Sequence, residues 1–172
     1  MQVVWGNKNH TKEGKDKQME VKDLLEYFSQ DLFVSKLKAT TKDASLDELA
    51  NLFVKAKIIR KKSIVLEMLR KRETLGSTGI GRGVAIPHGR TTAAMDVKIA
   101  FGKSEQGMNF DSIDKKPVNL VFMVLAPPHD ENNRYLPILG KLVEVLSDVK
   151  NRNKLKKVET FDEFIQVFNG VE

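Results

Sequence analysis

The sequence contains no cysteine, and only three of its 172 residues are histidines. The absence of cysteine excludes disulfide bonds and zinc sites built on cysteine. A zinc hydrolase would need more histidines than these, in a characteristic spacing. We therefore predict no metal site, and the sequence implies no small-molecule cofactor.

Long apolar runs are also missing, since none reaches the roughly 18 residues of a membrane-crossing helix. Polar residues follow directly after residues 1–5, unlike the apolar core of a signal peptide. The 41% of hydrophobic residues is ordinary for one domain of this length. We expect a cytoplasmic protein without direct membrane insertion. It would comprise one domain at residues 19–172 and a flexible extension at residues 1–18, which are mostly polar.

Positive charge is in moderate excess. The net charge is +6, and basic residues cluster at residues 55–62, 70–72 and 150–157. A basic balance can serve nucleic acid, an acidic partner or solubility. The cluster at 150–157 lacks the interleaved aromatic residues of a nucleic-acid surface, so a solvated helix face explains it better. We predict no nucleic-acid partner.

The hydrophobic pattern alternates between helical and extended segments. Residues 120–126 are unbroken apolar and rich in β-formers, which predicts a central strand. Helices are predicted at residues 62–72 and for about sixteen residues from Glu131. Ser45 with Glu48, and Thr160 with Glu163, have the spacing of capping boxes at helix starts. Strands interspersed with helices predict a single-domain α/β sandwich.

His88 has the most distinctive surroundings, in the run Gly79-Ile80-Gly81-Arg82-Gly83-Val84-Ala85-Ile86-Pro87-His88-Gly89-Arg90. A neutral imidazole is a nucleophile near pH 7, and nearby glycines let the backbone turn tightly. Arg90 adds a positive charge suited to phosphate. A turn that happens to contain a histidine is the alternative interpretation.

Two nucleotide-binding motifs are excluded in the same region. Residues 76–83 have the glycine spacing of a P-loop, but Arg82 and Gly83 stand where that motif requires lysine and serine or threonine. The dinucleotide fingerprint also fails, because Val84 or Ile86 occupies the place of its third glycine.

Residues 72–81 and 85–90 resemble the active-site signature of EIIA domains of the bacterial phosphotransferase system, in the fructose, mannitol and nitrogen-regulatory class. The resemblance implies a mannitol-type EIIA-like fold, a sandwich with a central mixed β-sheet flanked by helices. It also implies a phosphotransferase component that carries a phosphoryl group on His88, at Nε2. The donor would be a histidine-containing phosphocarrier protein (HPr or its nitrogen-class counterpart). The acceptor would be a sugar EIIB component or a regulatory target.

The resemblance also suggests the other site residues. Arg72 lies sixteen residues before His88, where the family has an arginine close to the phosphohistidine. Phosphate binding is expected from Ser77, Thr78, Gly89, Arg90 and Tyr135. The two hydroxyl residues could equally be turn residues, and Gly89 would permit close approach of the donor protein.

One departure from the family concerns Tyr135, which aligns with a second active-site histidine of many members. Its hydroxyl can bind phosphate but offers no imidazole, and Pro137 is compatible only with the first turn of the helix that follows. His129 could substitute, although a loop histidine before a helix explains it more simply. Two functions remain open, a phosphocarrier and a non-catalytic regulatory protein-binding module that retains the EIIA fold.

Overall fold

One six-stranded mixed sheet lies at the centre of the computed structural model, which describes residues 18–172. The predicted extension therefore falls outside the described residues, apart from Gln18. The strands are β1 (Phe33–Val34), β2 (Gly79–Gly81), β3 (Val84–Ala85), β4 (His88–Arg90), β5 (Lys98–Met108) and β6 (Val118–Ala126). Their order is β1-β5-β6-β3-β2, with β4 also paired to β6. The pairs β5–β6 and β2–β3 are antiparallel, and the other pairs are parallel.

Helices cover both faces of this sheet. They are a 3₁₀ helix at Val21–Tyr27, a second at Gln30–Leu32, α1 (Lys42–Lys55), α2 (Lys62–Thr74), α3 (Tyr135–Ser147), α4 (Val149–Leu155) and α5 (Phe161–Asn169). Within residues 18–172, none combines the length and the apolar character needed to cross a bilayer. The predicted α/β sandwich with a mixed sheet is confirmed.

The central strand β6 divides the core into two layers, because its side chains alternate between the faces of the sheet. Leu120, Phe122 and Val124 pack with α3, α5 and the first 3₁₀ helix. Val121 and Met123 pack with α1 and α2 on the other face. Both faces of β6 are thus buried, which explains its unbroken apolar sequence.

The predicted start of α1 at Ser45 is wrong. The helix begins at Lys42, and the hydroxyl of Thr41 accepts a hydrogen bond from the Ala44 amide at 3.2 Å. Ser45 is buried inside the helix, where its hydroxyl donates to the Lys42 carbonyl. Glu48 instead accepts hydrogen bonds from the amides of residues 38 and 39. Threonine is also among the favoured capping residues, and Thr41 lies four positions before Ser45.

The capping residue of α5 is confirmed at Thr160, whose hydroxyl accepts a hydrogen bond from the Glu163 amide at 3.2 Å. The Glu163 carboxylate accepts from the amide of Glu159, one residue before the cap, at 2.7 Å. The hydrogen bonds at the start of α5 therefore follow the capping pattern, except that the Glu163 carboxylate binds the amide of Glu159 instead of that of Thr160.

Candidate functional site

His88 begins β4, opposite Val124 near the carboxyl end of β6. Its ring is half-buried, and Nδ1 lies 2.6 Å from the carbonyl oxygen of Ile86. A carbonyl oxygen only accepts hydrogen bonds, so Nδ1 carries the proton. The neutral ring therefore has its free lone pair on Nε2, the nitrogen able to act as a nucleophile.

A depression of about 500 Å³ surrounds His88 between the last turns of α2 and the first turn of α3. Among residues 18–172, three cations contribute to its wall and no carboxylate does, which makes it suited to an anion such as phosphate. The lining residues are Met68, Lys71, Arg72, Thr74, Leu75, His88, Gly89, Arg90 and Tyr135.

Arg72 is brought to His88 by the end of α2. Its Nη1 donates a hydrogen bond to the Gly76 carbonyl at 2.9 Å, just beyond the helix. This contact holds a positive charge at a helix carboxyl end, where it is favourable. It leaves the other N–H groups of the guanidinium available for a ligand in the depression.

Tyr135 forms the opposite wall. Its ring centre lies 6.3 Å from that of His88, and only 6% of the residue is exposed. The guanidinium carbon of Arg90 lies 4.6 Å from the centre of the Tyr135 ring. Burial raises the pKa of the Tyr135 hydroxyl, while the charges of Arg90 and Arg72 act in the opposite direction.

The position of Tyr135 is set by the start of α3. The Asp130 carboxylate accepts hydrogen bonds from the amides of Arg134 and Tyr135, the latter at 2.9 Å. The helix thus starts four residues later than the predicted Glu131. Pro137 is its third residue, before the first intrahelical bond from the Ile138 amide to the Arg134 carbonyl. No amide is needed there, so the proline is tolerated.

Ser77 and Thr78 do not line the depression. The Ser77 hydroxyl donates to the Phe110 carbonyl at 2.9 Å, and the buried Thr78 hydroxyl donates to the Glu73 carboxylate. Direct contact of either residue with phosphate stays a prediction, and it would require the hydroxyl to leave its present partner. Their observed contacts shape the loop between α2 and β2.

Glu73 was missed from the sequence. Its side chain is only 8% exposed, and its carboxylate also receives the Thr78 amide and lies 2.8 Å from the Lys42 ammonium. The signal for it was weak, since it is one acidic residue directly after the basic cluster at 70–72. It ties the loop after α2 to the start of α1.

Met68, Lys71 and Leu75 were also missed, although a signal for them was present. Met68 lies 4 residues before Arg72 and Leu75 lies 3 residues after it, so both share its side of the helix. Lys71 directly precedes Arg72 in the basic cluster at 70–72. Leu75 is 84% exposed, which is unusual for a leucine beside three cations.

Gly89 lies against α2 in the same chain. A Cβ on Gly89 would lie 1.9 Å from Met68 Sδ, so the space beside this glycine is filled by the protein itself. Its proposed contact with phosphate stays a prediction, and the structure adds a packing requirement. Gly81 and Gly83 have positive φ angles of 94° and 80° and form the turn between β2 and β3.

His129 is not brought into the depression. It is exposed in the loop before α3 and lines a separate cavity of about 300 Å³ with Asp130 and Asp96. Among residues 18–172, no group of three histidine, aspartate or glutamate side chains is placed to hold a metal ion.

Comparison with known proteins places this architecture among established relatives. Residues 26–171 match the family model described as "Phosphoenolpyruvate-dependent sugar phosphotransferase system, EIIA 2". The chain is 34% identical over 133 residues to the fructose-specific EIIABC component of Bacillus subtilis, covering 77% of this chain but only 21% of that protein. It is 32% identical over 142 residues to the fructose-specific EIIA component of Haloferax volcanii, covering 83% of this chain and 92% of that one.

A solved structure shows the same fold. It is the nitrogen regulatory protein IIA-Ntr from Neisseria meningitidis, at a TM-score of 0.77 and 31% identity, covering 83% of this chain and 97% of that chain. The family match spans most of the described residues and includes both walls of the His88 depression. On this evidence the chain belongs to the EIIA 2 family of the phosphoenolpyruvate-dependent sugar phosphotransferase system.

Proposed function

We propose that this protein is a phosphocarrier that accepts a phosphoryl group on Nε2 of His88. The donor is a histidine-containing phosphocarrier protein, HPr or its nitrogen-class counterpart. The observation that carries the proposal is the contact between His88 Nδ1 and the Ile86 carbonyl, because it leaves Nε2 as the nucleophile of the neutral ring.

The transfer step needs no other reactant. The Nε2 lone pair forms a bond to phosphorus while the bond from phosphorus to the donor's imidazole nitrogen breaks, and that electron pair returns to the donor ring. The proton on Nδ1 stays hydrogen-bonded to the Ile86 carbonyl. The phosphorylated imidazole ring therefore carries a delocalised positive charge. Because both rings form similar bonds to phosphorus, the group can later pass onward by the same chemistry.

The protein's contribution is position and charge. Arg72 approaches from α2 and supplies N–H donors to the phosphoryl oxygens. Lys71 adds positive charge to the same depression, and Arg90 lies in its wall against the Tyr135 ring. Ser77, Thr78 and Glu73 support the loop that follows Arg72, and Gly89 allows β4 to approach α2.

The similar proteins suggest two classes of acceptor for the phosphoryl group. Fructose-specific components and a nitrogen regulatory protein are similar to this chain to nearly the same degree. A sugar EIIB component would receive the phosphoryl group in the first case, and a regulatory target would respond to the phosphorylated state in the second. We propose the carrier step for both.

The test is the intact mass of the protein after incubation with phosphoenolpyruvate, enzyme I and the histidine phosphocarrier of the same organism. We expect the mass of one phosphoryl group, lost in acid, in the native chain and in His129→Ala. His88→Ala is expected to stay folded and unlabelled. Labelling of His88→Ala would contradict the assignment of the site.

A second function is favoured by Tyr135, which the resemblance in sequence aligns with a second active-site histidine of many family members. The domain would then bind regulatory partners without carrying phosphate. The same experiment separates the two functions, because a domain of this kind stays unlabelled in the presence of carriers that label another EIIA protein.

A further inference from the structure

The Tyr135 hydroxyl is a polar group without a hydrogen-bond partner among residues 18–172. Its residue is more than nine-tenths buried, yet it forms part of the wall of the His88 depression. The other tyrosine of the described chain, Tyr27, accepts a hydrogen bond from Arg134 Nε at 3.1 Å. No buried side-chain nitrogen or oxygen atom of residues 18–172 lacks a hydrogen-bond partner. The unpaired Tyr135 hydroxyl is therefore accessible from the depression that its residue lines, where it is free to donate to a ligand.

The ring that carries this hydroxyl is held from several directions. Its backbone amide donates to the Asp130 carboxylate at 2.9 Å, and its body packs in the core layer that contains Ile138. The Arg90 guanidinium lies over one face of the ring at 4.6 Å. Residues on β4, on the loop after β6 and on α3 therefore meet at Tyr135.

Arg90 is itself fixed by a second contact. Its Nη1 donates a hydrogen bond to the Pro127 carbonyl at 3.2 Å. A guanidinium stacked on an aromatic face and bonded to a carbonyl has a set orientation, and the stack is stabilising. In this arrangement the guanidinium is committed to the ring and to the loop.

We propose that the Tyr135 hydroxyl donates a hydrogen bond to the phosphoryl group on His88, and that Arg90 is a positioning residue which acts on that group through the Tyr135 ring. The inference rests on the proposed phosphocarrier function and deepens it. The hydroxyl stays protonated at neutral pH, since burial raises its pKa, and so remains a hydrogen-bond donor to phosphoryl oxygens.

A double-mutant cycle tests this arrangement. Tyr135→Phe keeps the ring under Arg90 and removes only the hydroxyl, and Arg90→Gln removes the stack. The two single variants and their combination are compared with the native chain in phosphoryl transfer from the phosphorylated histidine carrier. The readouts are kcat, KM for the carrier, and the lifetime of the phosphohistidine, with urea unfolding as a check on the fold.

We expect Tyr135→Phe to lower kcat by about 10- to 100-fold, the effect of one hydrogen bond to a charged group, with little change in KM. Arg90→Gln should lower kcat in the native background and cause no further loss in Tyr135→Phe. Arg90→Lys should recover part of the rate, because a cation remains over the ring. Arg82→Gln is the matched control, since Arg82 Nη1 also donates to a backbone carbonyl, that of Ser147 at 3.1 Å, and the residue lies outside the depression.

Two results would overturn the inference alone. If the losses from Tyr135→Phe and Arg90→Gln multiply in the double variant, Arg90 binds the phosphoryl group independently. If Tyr135→Phe transfers at the native rate, the hydroxyl is not used. If the native chain takes up no phosphoryl group from active carriers, the proposed function fails first and this inference fails with it.

Discussion

Gly89 and Met68 are in such close contact that a Cβ on the glycine would lie 1.9 Å from the methionine sulfur. The glycine is in β4, directly after His88, and the methionine is in α2, one turn before Arg72. This close approach of strand and helix sets the separation between the nucleophilic ring and the arginine. The glycine next to His88 is therefore explained by packing inside the protein.

Gly89→Ala should lower the free energy of unfolding by about 1–3 kcal/mol, because the added methyl group forces Met68 to move. Met68→Ala in the same chain should recover part of that loss. Gly140→Ala is the control, since no atom of the described residues outside the helix's own backbone lies within 4 Å of a Cβ at this position. It should stabilise the protein by about 0.5–1 kcal/mol in urea unfolding. A stable Gly89→Ala variant would refute the packing argument.

Glu73→Gln should weaken the loop after α2. The carboxylate is buried, pairs with Lys42 at 2.8 Å and receives both the amide and the hydroxyl of Thr78. Loss of its charge should cost about 1–3 kcal/mol of unfolding free energy. Glu67→Gln on the same helix breaks only an exposed pair with Lys71, and we expect a change below about 0.5 kcal/mol. Equal effects of the two variants in urea unfolding would contradict the role given to Glu73.

Arg72→Ala should slow phosphoryl transfer by about 100-fold, the typical effect of removing one donor to a developing charge. The loss should appear in kcat measured with the phosphorylated histidine carrier. Arg70→Ala is the matched control, because Arg70 pairs with Asp43 on the surface at 2.8 Å and does not line the depression. Native kinetics in Arg72→Ala would remove this arginine from the site.

Leu75→Ser should raise KM for the donor protein several-fold and leave kcat unchanged. The side chain is 84% exposed at the edge of the His88 depression, where an apolar contact with an incoming protein can form. Ile113 is 70% exposed and lies outside that depression, so Ile113→Ser should leave KM unchanged. A similar rise in KM for both variants would indicate a general effect of surface hydrophobicity.

Tyr135 should ionise at a higher pH than free tyrosine. Burial, the dominant cause, favours the neutral hydroxyl and raises its pKa in the folded state, although the Arg90 charge partly offsets this. The associated stabilisation is present below the unfolded pKa and is lost as the pH rises from that value to the folded one. Tyr27→Phe leaves Tyr135 as the only tyrosine, so the absorbance of its phenolate gives the midpoint directly. A midpoint at or below that of free tyrosine would contradict the buried placement.

Arg90→Gln in the Tyr27→Phe chain should move this midpoint further upward, because a positive charge that favours the phenolate is removed. Arg82→Gln should leave it in place. A downward shift in Arg90→Gln would contradict the contact between Arg90 and the ring.

Local signals in the sequence were sufficient for much of the architecture. The unbroken apolar run at 120–126 became β6, and the helix at 62–72 became α2, two residues longer. The prediction that Ser45 caps α1 was wrong because Thr41 and Ser45 are both suitable capping residues within about one turn. The packing of α1 in the folded protein decides between them. The start of α3 was misplaced because the Asp130 carboxylate captures the amides of residues 134 and 135.

The sequence by itself determined the family and the mixed α/β fold, and it singled out His88 as the candidate site, because glycines, proline and histidine next to one another in the chain form a recognisable local pattern. Only the tertiary structure decided which nitrogen of His88 is free, since that depends on its contact with Ile86. It also decided that Arg90 stacks on Tyr135 and that Thr78 donates to Glu73. Side-chain direction and partner depend on how β4 and the ends of α2 and α3 pack together, and residue types along the chain do not encode that geometry in any local pattern.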